Sequence, residues 1–401
     1  MGTDDAPIAY PFPGPVSLFH PAPPFARLRA EDPVARVVTP DGNTAFLVTR
    51  WADVRQVMLD PRFSRDMRNR TDVPVAGLAR TATGSMVAMD PPEHTRMRRL
   101  VTSAFTGRRV EALRPDVTKL VDQLLGDMTL GPSPADLVEH LSVALPLRVI
   151  SALLGVPRED QHVLHEWSDV VMGDWEQSRA DLDAALGQLG GYFAELVARK
   201  RAEPADDLVT ALIAARDEQD RLSERELVGM CVGMLVAGHA TTVSALSMSV
   251  LTLLHEPEQL AALREDPSGV PAAVEELLRF VQMSAGGGGL PRVALEDVEI
   301  SGHIVPAGSL VMQATNAANR DPDRFADPDR LDLGRTGNKH ITFGVGVHHC
   351  LGASLVRMEM QEALLGLFRH APCLRLAVPE DELAFRQGMF VRTIEALPVT
   401  W

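Results

Sequence analysis

Phe343-Gly344-Val345-Gly346-Val347-His348-His349-Cys350-Leu351-Gly352 places one cysteine among glycines and histidines, directly before an apolar-periodic helical run. A thiolate binds a metal only where its charge is stabilised, and the free N–H groups and dipole of a helix N-terminus do this. Gly344, Gly346 and Gly352 let the backbone bend tightly and approach a flat ligand closely. On these residues alone three readings of Cys350 stay open. It is a buried structural thiol, the usual state of a free cysteine; a zinc ligand with His340, His348 and His349; or the axial ligand of a haem iron. Zinc lacks the paired cysteines at finger-like spacing that would support it.

Around this loop runs a chain of 401 residues, 45% hydrophobic and 23% charged, with a formal net charge of -15. That excess of negative charge argues against nucleic acid or anionic membranes as partners. Cysteines at 231, 350 and 373 are too few and too scattered for a disulfide framework, which implies a reducing cytoplasm. The first 24 residues hold seven prolines and neither a basic start nor an apolar segment, so they read as coil and not as a signal peptide. Helical patterning over 24–31 precedes strand-like runs at 35–38 and 44–48, either side of the turn Pro40-Asp41-Gly42-Asn43. From Ala52 to about residue 280 the pattern is helical, and strand signals return at 298–304, at 309–313 and near the C-terminus. With no linker and no repeat, the expectation is a mainly α fold with a minor β portion, one domain over residues 1–401.

Leu227 to Leu254 carries no Asp, Glu, Lys or Arg over 28 residues, long enough to cross a bilayer. Ser223 and Glu226 stand before it in capping-box spacing, serines and threonines interrupt it, and no basic cluster flanks it. A long helix over 223–255, buried through the middle of the fold, is the better reading. Gly238 inside that helix costs about 1 kcal/mol relative to alanine, so something requires the gap.

The complete spacing Phe-Gly-x-Gly-x-His-x-Cys-x-Gly resembles the cysteine loop of the cytochrome P-450 family. The resemblance implies haem b held by Cys350, with Phe343 shielding the sulfur, Gly344 and Gly352 close to the macrocycle, and His348 hydrogen-bonded to a propionate. Ala237-Gly238-His239-Ala240-Thr241 is similar to the family's oxygen-binding motif, which implies that Thr241, with Thr242 beside it, donates to bound dioxygen. Here the chain departs from its relatives: Ala240 stands where Asp or Glu is common, so the carboxylate that helps deliver protons is missing, and solvent with Thr241 or Thr242 is the expected relay. His239 points away from Thr241 on a helix and is a weak substitute.

Glu276-Leu277-Leu278-Arg279, about seventy residues before the loop, resembles the family's Glu-x-x-Arg pair, for which Arg330 is the expected third member. His94 and Arg98, at i and i+4 on one helical face, resemble the propionate-binding helix, and Arg292 matches the remaining cation. The basic run over 96–109 (Arg96, Arg98, Arg99, Arg108, Arg109) implies docking of a small acidic ferredoxin, which with its reductase would bring electrons from NAD(P)H. By position the substrate pocket draws on Met86, Val87, Met234, Ala237, on Ser284 to Leu290 including Gly287 and Gly288, and on Met389 and Phe390. The glycines at 286–289 are expected to leave room beside the haem. The resemblance implies a soluble bacterial monooxygenase that hydroxylates or epoxidises a bulky, largely apolar natural product. The alternative is oxidative coupling of aromatic substrates without oxygen insertion.

Overall fold

The computed structural model describes residues 8–12, 17–69, 85–173, 178–217, 222–284, 287–386 and 389–401. Its axis is the helix Glu224–His255, which begins as the capping box requires: Ser223 Oγ accepts from the Glu226 amide, and the Glu226 carboxylate accepts from the Ser223 amide at 2.7 Å. By length and composition this helix would cross a membrane, yet 61% of its most apolar window is buried in the protein. Several of its hydroxyl residues bond within the helix, as Ser247 does on the Val243 carbonyl and Thr252 on the Met248 carbonyl, while Ser244 donates to the Arg392 carbonyl, so these cost little inside an apolar core.

Two large apolar clusters pack along this axis. One joins it to Gly107–Leu130, Val270–Phe280 and Ala353–His370, and the other to Ala144–Leu154, Gln161–Val171, Arg179–Ala202 and Leu208–Asp217. At one side lies a six-stranded sheet in the order Ile8–Ala9, Val34–Val38, Thr44–Val48, Leu310–Gln313, Arg292–Ala294, Phe63–Ser64. Val34 pairs with Val48 and Val38 with Thr44, and Gly42 at φ +80° makes the tight turn.

The fold is mainly helical with a minor β portion, as expected. Two details differ. The run 298–304 is a hairpin of Val298–Ile300 and His303–Val305, because Ser301 (φ +47°) and Gly302 (φ +80°) reverse the chain within it. The strand Phe63–Ser64 has no periodic signal, being two residues long and formed by pairing with Val293 and Ala294.

Candidate haem cleft

The cysteine loop closes on itself before its helix starts. The Cys350 amide donates to the Phe343 carbonyl at 2.8 Å, and positive φ at Gly344 (+66°) and Gly346 (+77°) makes this possible. A Cβ on Gly346 would lie 2.9 Å from Leu59. Gly352 bends nothing: it lines a cleft, and a Cβ there meets no protein atom within 4 Å. Burial pushes the Cys350 thiol up, while the Gly352 amide, Arg98 and Arg357 favour the thiolate. Phe343 lies outside the cleft wall, beneath the Arg357 guanidinium at 4.5 Å. His340 sits 3.2 Å from Glu275, apart from the other loop histidines as a ligand.

The cleft holds about 1050 Å³ of empty space, its open mouth included. Cys350, Leu351 and Gly352 form one wall, and Ala237, Gly238, Thr241 and Thr242 of the central helix form the other. Thr241 Oγ1 donates to the Ala237 carbonyl at 2.9 Å and Thr242 Oγ1 to the Gly238 carbonyl at 3.1 Å. Met86, Val87, Phe105, Ile150 and Met234 complete an apolar side. The absence of a side chain on Gly238 admits Ile150, whose Cδ1 lies 3.2 Å from the position a Cβ would take.

One edge of the cleft is cationic. His94, Arg98 and His348 line it as the sequence suggests, and the two imidazoles lie 4.2 Å apart between centroids. Arg98 also donates to the His349 carbonyl at 2.6 Å. Arg292 stands behind this edge, donating to the carbonyls of Phe63 and Met58. Arg65 lines the edge itself, a residue the sequence did not flag because it lies on no periodic element. The Nε atoms of both Arg65 and Arg292 are buried without a hydrogen-bond partner among the described residues. Burial pushes Arg65 down to about 10, and Arg292 to about 9 with Arg65 adding repulsion. His348 falls to about 2 by burial and then by Arg65, so it is neutral. Buried cations with so little neutralising charge fit a ligand carrying carboxylates at that edge. Glu359, also on the cleft wall, is pushed up to about 8 by burial and is largely protonated at pH 7.

Several expected pocket residues do not reach this cleft. Gly287 and Gly288 leave no room beside a haem: a Cβ on Gly287 would lie 2.4 Å from the Phe25 ring, and one on Gly288 2.6 Å from the Gln313 carbonyl. The space is filled by protein, and Gly286 lies outside the described residues. Ser284 accepts from the Gly288 amide at 3.2 Å and shapes that turn, while Leu290 is half-buried and off the wall. Met389 pairs with Gly173 and the Phe390 amide with the Met172 carbonyl, so both pack in the neighbouring cluster.

Glu276 and Arg279 form a fully buried bidentate pair at 2.8 Å. Arg330 is not its third member. Its side chain is 71% exposed, 3.8 Å from Asp332, and only its carbonyl accepts from Arg279 and Arg335. Arg335 completes the triad, with Nε 3.1 Å from both Glu276 oxygens, and the Asn338 amide adds a bond at 3.0 Å. The basic run also divides. Arg98 turns inward, Arg96 pairs with Glu226, and Arg99, Arg108 and Arg109 remain exposed with no ion pair among the described residues.

Ala240 faces away from the cleft, toward a second one, and His239 beside it is fully buried. His239 stacks edge-on against His165 at 4.8 Å, and burial pushes it down to about 3. No side-chain carboxylate other than Glu359 stands on the haem-side wall among the described residues.

Cysteine on one wall, hydroxyls on the other and uncompensated arginines at the edge fit a thiolate-ligated haem. The family model for cytochrome P450 matches residues 33–270 and 269–374. Nocardicin C N-oxygenase of Nocardia uniformis subsp. tsuyamanensis is 47% identical over 395 residues, 98% of each chain. Mycinamicin IV hydroxylase/epoxidase of Micromonospora griseorubida is 43% identical over 399 residues, 100% of each. The crystal structure of the LnmA cytochrome P-450 hydroxylase, from the leinamycin biosynthetic pathway of Streptomyces atroolivaceus S-140, matches with a TM-score of 0.90 at 45% identity, covering 98% of this chain and 100% of that one. The chain belongs to the cytochrome P-450 family. It is an oxidoreductase of the monooxygenase type, in a family that uses haem and dioxygen.

Proposed function

We propose that the chain is a cytoplasmic haem-thiolate monooxygenase of bacterial secondary metabolism, inserting one oxygen atom into a bulky, largely apolar natural product. The observation that carries this reading is the opposition of Cys350 and Thr241 across one cleft with arginines at its edge. Cys350 would hold the iron, and His94, Arg98, Arg65, Arg292 and His348 would face the two carboxylates. When bound, haem supplies the redox centre at which dioxygen is activated.

The protein's share is positioning, exclusion of water and proton supply. Ile150, Met86, Val87, Phe105 and Met234 offer an adaptable apolar wall to the substrate. Thr241 and Thr242 exchange their bonds to helix carbonyls for bonds toward the cleft, and protons reach them from solvent, since Ala240 holds none. The names of the two curated relatives, an N-oxygenase and a hydroxylase/epoxidase, support oxygen insertion. Ala240 favours coupling as the second reading, because coupling leaves no oxygen in the product.

With NADPH, a ferredoxin, its reductase and a natural product that shifts the haem spin state, the product is expected to gain one oxygen from ¹⁸O₂. Two substrates joined with loss of hydrogens would establish coupling. No NADPH consumption with any donor pair and ligand would point to a gas-binding haem protein instead.

An acidic ferredoxin docks at Arg99, Arg108 and Arg109 in this reading. Reversing Arg108 and Arg109 to Glu is expected to slow ferredoxin reduction of the iron about tenfold at low salt, with the difference shrinking as salt rises. An unchanged stopped-flow rate would remove this face from consideration.

A further inference from the structure

Behind the central helix, on the side away from Cys350, a cleft of about 1020 Å³ of empty space, its open mouth included, is bordered by Ala240, Val243, Glu139, Arg386 and Glu395, with His165 and Asp169 among its lining residues. His165 and Asp169 stand at i and i+4 on the helix Gln161–Val171, so they share one face. His239 meets them from the central helix. The ligand atoms of the three residues all lie within 4.8 Å of one another, the one such group among the described residues.

Two further observations point to a ligand there. His239 is fully buried, and neither of its ring nitrogens has a hydrogen-bond partner in the described structure. A buried imidazole left with nothing to bond is costly, and a metal ion is one partner that resolves it. The Asp169 carboxylate is also oriented: Oδ2 is held by the Arg386 guanidinium, while Oδ1 is turned to His165 at 3.6 Å. Outer contacts of this kind aim a carboxylate at a metal.

We propose that His165, His239 and Asp169 bind one divalent transition-metal ion of the zinc class, tying the helix Gln161–Val171 to the central helix behind Ala240. Two imidazole nitrogens and one carboxylate oxygen are a zinc donor set, and the open cleft leaves a fourth position for water. Magnesium and calcium prefer all-oxygen ligation and do not suit it. Donors around a tetrahedral zinc sit about 3.3–3.5 Å apart, so the group closes by roughly an ångström. His165 is half-buried and supplies most of that movement by turning its ring, while Asp169 keeps its bond to Arg386. The site is separate from the proposed reaction and stands or falls without it.

The test uses the full chain with its haem, treated with a chelator and then dialysed against micromolar zinc. One zinc per chain is expected in the unaltered protein. His165→Ala and Asp169→Asn should each weaken binding at least tenfold, and His165→Cys should restore it, because a thiolate replaces the imidazole. Zinc should also raise the unfolding temperature of the unaltered protein and of His165→Cys but not of His165→Ala. No zinc bound by the unaltered protein at these concentrations, or binding by His165→Ala and Asp169→Asn as tight as that of the unaltered protein, would overturn the proposal.

Discussion

Cys350→Ala is expected to abolish NADPH-driven turnover, by about 10³-fold or more, while leaving the fold intact. Turnover on this account depends on electron density from the thiolate, and alanine offers no ligand atom. The loop itself does not depend on the sulfur: its closing bond is between the Cys350 amide and the Phe343 carbonyl, and its bends come from Gly344 and Gly346. Circular dichroism of the variant should therefore match that of the parent, and any bound haem should lose its thiolate spectrum. Substantial turnover in Cys350→Ala would contradict the assignment of this residue.

The second large effect is on stability. Glu276 accepts from Arg279, Arg335, Asn338 and the Asp332 amide in a site closed to water. Glu276→Leu removes all these acceptors at once and leaves the buried Arg279 charge unpaired, a loss of about 3–5 kcal/mol. With an unfolding entropy near 2.1 cal/mol/K per residue over this chain, the midpoint should fall by roughly 4–6 °C. Arg335→Ala should show part of that loss, whereas Arg330→Ala, on an exposed side chain, should stay within about 0.5 kcal/mol. Equal losses for Arg330→Ala and Arg335→Ala in calorimetry would contradict the triad described.

What the sequence carries plainly is what local chemistry determines. Ser223 and Glu226 mark the start of the central helix because a capping box is complete within four residues. The cysteine loop is legible because its turns demand glycine at fixed positions. Helical spacing likewise separates His239 from Thr241 without reference to a partner: Thr241 lines the haem-side cleft, while His239 is buried against His165. Arg335 and Arg65 escape this kind of reading. Each arrives on an irregular segment whose path is set by tertiary contacts, as where the Asp332 amide donates to Glu276 and the turn from Asp332 to Arg335 brings the Arg335 guanidinium to the same carboxylate. Gly287 and Gly288 show the converse: a run of glycines says that something approaches closely, and only the fold shows that it is Phe25 and the Gln313 backbone rather than a haem.

On the proximal side Cys350 lines the cleft with Leu351 and Gly352. On the distal side Ala240 looks into the second cleft and holds no proton, and in the proposed function protons come from solvent through the Thr241 and Thr242 hydroxyls. The proposed catalysis depends on Cys350 carrying the iron. The reduced carbon monoxide difference spectrum of the unaltered protein tests that most directly. A strongly red-shifted Soret band, the mark of thiolate-ligated haem, is the result this account predicts; a band at the position of imidazole-ligated haem, or no carbon monoxide band in folded protein supplied with haem, would contradict it.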